Sequence, residues 1–147
     1  MNATIPRMTV ITLGVADLAR ATAFYREIFS TRPVTQYEGV TFIPLPGVWL
    51  SLYPLEKLAE DIAEEVTLPP ANAFRGFTLA YNARSREEIT SIFASAADAG
   101  AHIAKAPQDT FWGGYSGYFT DPDGHYWEVV WGPMFDFTEH GDLRFKA

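Results

Sequence analysis

Glu128 is the residue in this sequence best placed to do chemistry. It lies in the apolar run His125–Trp131, where strand alternation puts Tyr126 and Val130 on its face. A carboxylate among rings and aliphatics is partly desolvated, which suits a general base or the partner of a bound cation. The competing reading is an inert carboxylate, hydrogen-bonded or paired to an arginine. A second group is Trp112-Gly113-Gly114-Tyr115-Ser116-Gly117-Tyr118, in which rings alternate with glycines. Glycines within a strand admit the close approach of another group, and rings there frame a pocket mouth. On an earlier strand Trp49, Ser51 and Tyr53 share one face, leaving Leu50 and Leu52 for the core. Trp49, Ser51, Tyr53, Trp112, Tyr115 and Tyr126 together predict a mostly apolar cleft with a few polar tips, suited to a small, partly aromatic ligand.

Other chemistries fall away. There is no cysteine, which excludes thiol nucleophiles, thiolate zinc sites and iron–sulfur clusters. The three histidines are His102, His125 and His140; His125 sits three residues before Glu128, on the opposite face of the same strand. Asp121-Pro122-Asp123-Gly124 is explained as a turn without any ion. The acidic stretch Glu56–Glu65 reads as a solvated helix face. No phosphate-binding glycine loop, nucleotide fingerprint or Ser-His-Asp arrangement is present. Eleven basic against 18 acidic residues give a net charge of −7, which argues against a nucleic-acid partner and is compatible with attracting cationic small molecules. No apolar run approaches the roughly 18 residues of a membrane span. Met1–Met8 has neither an apolar signal core nor an Arg-rich pattern, so a cytoplasmic protein is expected. Aromatic residues make up 15% of the chain, more ring surface than a core of this size needs, and the surplus points to a ligand pocket.

The elements that must hold these residues recur in the same order twice. Met8–Val15 reads as a strand, Asp17 as a helix N-cap and Leu18–Phe29 as the helix. Short strands follow at Val34–Tyr37, Val40–Leu45 and Val48–Tyr53, separated by glycine turns. After an acidic linker the order restarts: strand Phe77–Tyr81, a capping box at Ser85 and Glu88, a helix to about Ala99, then Ala101–Lys105, Trp112–Thr120 and His125–Trp131. The repeat offset is roughly 65 to 75 residues. Beyond Pro133, Phe135, Phe137, Leu143 and Phe145 predict a tail that packs on its own sheet or on a partner subunit.

Leu13–Tyr25 (LGVADLARATAFY) and Gly117–Val129 (GYFTDPDGHYWEV) resemble the opening and closing motifs of the vicinal oxygen chelate superfamily, which includes glyoxalase I, bleomycin-resistance proteins and extradiol dioxygenases. The resemblance implies an α+β fold in which two tandem βαβββ modules form an incomplete barrel around a cleft. It divides a single domain, residues 1–147, into module one (about 8–53), a linker (54–74), module two (75–133) and a tail (134–147). Enzymes of this superfamily hold a divalent metal with two ligands from each module. Their positions fall here on Val10, Ser51, Gly76 and Glu128, and only Glu128 can ligate as they do. The expectation is therefore a cleft without metal or other cofactor, binding a small, partly aromatic molecule in a homodimer. The alternative is a lyase or isomerase of a small carbonyl compound with Glu128 as general base; a metal-dependent dioxygenase comes third.

Overall fold

Apolar residues cluster toward the end of Val10–Val15, and a capped amphipathic stretch follows; together they form the first strand–helix unit of the computed structural model, which describes residues 2–147. Met1, the first residue of the expected domain, lies outside the described residues. The chain divides into two compact units between Pro70 and Ala71, inside the stretch expected to be a linker. Among the described residues the architecture is α+β: three helices with sheets of three, four and two strands, each an open ribbon.

In the first unit β1 (Val10–Val15) runs parallel to β3 (Trp49–Pro54), and β2 (Thr41–Ile43) pairs antiparallel with β3. The Asp17 carboxylate accepts the Arg20 N–H at 3.0 Å, starting α1 (Leu18–Ile28) with the cap its sequence predicts. Ala21, Phe24 and Tyr25 of α1 are buried, as are Leu50 and Leu52 of β3. The strand expected at Val34–Tyr37 shrinks to one bridge, Val34 to Phe42. Pro33 has no N–H to extend the ladder, and the turn at Gly39 follows within a few residues. The acidic stretch contains α2 (Leu55–Ile62), whose one buried residue is Ala59.

The second unit repeats the order in full. β4 (Leu79–Asn82), α3 (Arg86–Asp98), β5 (His102–Asp109), β6 (Tyr115–Thr120) and β7 (Tyr126–Trp131) make a sheet of order β4-β7-β6-β5. Ser85 Oγ accepts the Glu88 N–H at 3.1 Å, but the Glu88 carboxylate reaches one residue past the N-cap, accepting Arg84 N–H at 3.0 Å. The strand expected to begin at Trp112 begins instead at Tyr115. Thr110 closes the β5–β6 turn, its hydroxyl accepting the Gly114 N–H at 2.8 Å, which leaves Trp112 on the turn. Between β6 and β7 the Asp121–Gly124 turn is held from inside. Buried Asp121 accepts the N–H groups of Asp123 and His125 at 2.9 Å and pairs with His125 Nδ1 at 2.9 Å, so both residues are structural. The tail forms a hairpin of β8 (Phe135–Phe137) and β9 (Leu143–Phe145), with Phe135 and Phe145 stacked at 5.6 Å and Arg144 paired to Asp136 at 3.1 Å. Among the described residues no helix is long and apolar enough to cross a membrane.

Candidate functional site

Alternation along β7 sorts its side chains. Trp127 and Val129 are buried on the α3 side, where Trp127 stacks on Phe119 and Phe119 meets Phe93 of α3 edge-on. Tyr126, Glu128 and Val130 take the other side. Pairing then aligns Ala80, Glu128, Tyr118 and Lys105 in one row across four strands, with Asn82, Val130, Ser116 and Gln108 in the next. Over this face lies a cavity of about 430 Å³. Its sheet side is Ala80, Asn82, Glu128 and Val130; its walls are Trp112, Met134 and the hairpin residues Phe135, Leu143 and Phe145.

The Trp112 ring occupies space that two glycines leave open. A Cβ on Gly114 would lie 2.2 Å from the ring, and one on Gly132 would lie 2.8 Å from it. The hairpin wall is tied down by the Lys146 N–H to the Met134 carbonyl at 2.9 Å and by Arg84 over the Phe137 ring at 4.1 Å. Within the sheet Tyr118 stands opposite Glu128 in the β6–β7 register, and burial first, then the neighbouring carboxylate, raises the Tyr118 pKa. Glu128 is half-buried and is the one ionisable side chain lining the cavity.

Of the residues expected from sequence, Glu128 and Trp112 line this cavity. Tyr126 shares the face, but its ring packs edge-on against Phe74 at 5.6 Å. Tyr115 is a correction: it lies on the opposite side of β6, in the parity of Gly117 and Phe119, beneath the Arg86 guanidinium of α3 at 5.1 Å. Because the strand starts at Tyr115, Trp112 escapes the alternation and the two rings part. Trp49, Ser51 and Tyr53 belong to β3 of the first unit, whereas the Glu128 cavity is lined entirely by residues of the second. There Trp49 is 44% exposed and meets Phe42, Tyr53 is partly exposed, and buried Ser51 bonds to Thr12 Oγ1 at 2.5 Å. Sequence reasoning missed Tyr118 as the partner of Glu128. The signal was present: a turn pairing Thr120 with Tyr126 pairs Tyr118 with Glu128 two residues back on each side.

The superfamily's metal set does not fit these residues. Val10 and Gly76 offer no ligating side chain, the Ser51 hydroxyl is engaged with Thr12, and among the described residues no three of His, Cys, Asp or Glu converge.

A sequence profile described as Glyoxalase/Bleomycin resistance protein/Dioxygenase superfamily matches residues 7–129. The metallothiol transferase FosB of Shouchella clausii is 26% identical over 133 residues, 88% of this chain and 83% of that protein. A glyoxalase-related enzyme from Fulvimarina pelagi superposes with a TM-score of 0.85 at 29% identity, covering 97% of this chain and all of that one. The lactoylglutathione lyase of Agrobacterium tumefaciens shares the fold at a TM-score of 0.67 and 22% identity, over 92% of this chain and 100% of its own. These relatives correct one expectation. A transferase named for a metallothiol reaction matches most of the chain, so the expectation that the protein works without a cofactor does not stand.

Proposed function

Because this chain belongs to the Glyoxalase/Bleomycin resistance protein/Dioxygenase superfamily, we propose that it binds a small, partly aromatic molecule over the Glu128 face of its second unit. The observation that carries this reading is the cavity of about 430 Å³, walled by Trp112 and the β8–β9 hairpin and closing on a single carboxylate. A volume of that size suits a ligand of a dozen or so heavy atoms, with rings supplying contact area and Glu128 and Asn82 fixing orientation. Calorimetric titration with small aromatic compounds tests it: saturable binding that Trp112→Ala weakens about tenfold supports the site, on the usual weight of a buried aromatic contact. Binding indifferent to that change places the ligand elsewhere.

A second reading has its own observation, Tyr118 standing opposite Glu128 across the β6–β7 pair. A carboxylate there can act as general base toward an α-hydroxycarbonyl compound, taking the proton from the hydroxyl-bearing carbon and returning it to the former carbonyl carbon while the hydroxyl proton passes to the former carbonyl oxygen, as an isomerase does. Glu128→Gln abolishes such turnover while leaving substrate binding in place; unchanged turnover removes Glu128 from the role. We further propose that the protein works in the cytoplasm as a homodimer. The absence of cysteine suits a reducing compartment, and the exposed rings of Trp49 and Phe145 suit a twofold contact.

A further inference from the structure

We propose that the first unit holds a second ligand site, selective for a small zwitterion of the α-amino acid type, in the groove between α1 and the segment 35–41. It is separate from the Glu128 cavity. Every residue lining it lies between Leu18 and Thr41, and the two linings share none.

The groove encloses about 490 Å³, comparable with the cavity over Glu128. One wall is a ridge of α1. Leu18, Thr22 and Arg26 are spaced four apart and so stack along one face of the helix. The other wall is the chain leading into β2, with Tyr37, Glu38 and Val40. The walls meet where the Thr22 and Thr41 hydroxyls bond at 2.8 Å, with 6% and 2% of those residues exposed.

That floor has a polarity. The Thr22 hydroxyl donates to the Leu18 carbonyl at 2.7 Å, so within the pair it is Thr41 that donates. Both hydroxyl protons are thereby spent, and the two oxygens have only lone pairs left to offer. A floor that only accepts suits an ammonium group. Glu38, three residues before Thr41, adds a negative charge on the same wall, while Arg26 carries a positive one on the other. Among the described residues neither Arg26 nor Glu38 forms an ion pair, with each other or with a third residue. A ligand bearing both charges satisfies both walls. Its carboxylate takes the Arg26 guanidinium, whose planar fork matches it, and its ammonium takes Glu38 and the threonine oxygens. A ligand with one charge engages one wall only. Tyr37 is 56% exposed with its ring edge-on to Phe42 at 6.2 Å, and with Leu18 and Val40 it offers apolar contact to a side chain.

The test compares L-leucine, leucinamide and N-acetylleucine, which share one side chain and carry both charges, the cation alone and the anion alone. Titrated at about pH 6.5, where the amide is protonated, and at low salt, leucine is expected to bind at least about tenfold more tightly than either. Arg26→Gln brings leucine down to the affinity of leucinamide, and Glu38→Gln brings it down to that of N-acetylleucine. Both side chains are exposed, so these changes spare the core. The amide or the N-acetyl compound binding as tightly as leucine overturns the proposal, as does leucine affinity that neither variant alters. No saturable binding of leucine up to about 10 mM overturns it too. Leucine binding that Trp112→Ala abolishes while Arg26→Gln and Glu38→Gln spare it puts the ligand over Glu128 and removes this site.

Discussion

Gly132 and Gly114 are as much part of the cavity as the ring they seat. A methyl on Gly132 would stand 2.8 Å from both Trp112 and Met134 Sδ, so Gly132→Ala forces the wall to move. The expected cost is about 1–3 kcal/mol in denaturant unfolding, with a parallel loss of affinity for small aromatic compounds. Unchanged stability and affinity would mean that the ring does not depend on this seat. Residue-scale electrostatics give a second prediction. Burial first, then the hydrogen bond to Glu88 and its charge, push the Tyr81 pKa up to about 12. A tyrosine whose folded pKa is raised from 10.0 keeps its proton longer in the native state. Its contribution to stability is complete below the unfolded value and is lost as pH rises through the folded one. Unfolding free energy measured between about pH 10 and 12 therefore falls less steeply in Tyr81→Phe than in the wild type. Equal slopes would leave Tyr81 without a part in alkaline stability.

At the scale of elements, caps and turns do the positioning. Ser85 accepts the Glu88 N–H at the start of α3, and the helix then lays Ile89, Phe93 and Ala96 against the sheet face opposite the cavity. Ser85→Ala is expected to cost about 1 kcal/mol by denaturant unfolding, while Ser85→Asp retains most of the stability. A loss of similar size in both would show that the hydroxyl is not acting as a cap. The cap and the turn at Asp121 were legible from sequence because each depends on groups within four residues. The boundaries of β5 and β6 were not. Two register shifts between these strands and the Thr110 turn decide where Trp112 leaves the sheet, and such irregularities arise from strand pairing.

At the scale of the whole molecule, the order β-α-β-β-β is read twice along the chain. The second unit shows it in full, the first has its Val34–Tyr37 strand reduced to one bridge, and the family match spans both, residues 7–129. Sedimentation is expected to give a mass near about 33 kDa, twice the 16.4 kDa chain, as for a twofold dimer. A species of single-chain mass at micromolar concentration would remove the homodimer from the proposal. The sequence by itself determined the α+β class, the repeated module, the helix caps, the closing turn and Glu128 as the carboxylate to watch. Each of these rests on alternation or on hydrogen bonds between near neighbours, which a one-dimensional reading can see. Only the tertiary structure decided what surrounds that carboxylate. Tyr118 arrives through the β6–β7 register, Tyr115 turns to the helix side, and Phe135, Leu143 and Phe145 close the wall from the tail. Those neighbours come from separate elements, and what brings them together is strand register and packing between residues far apart in sequence.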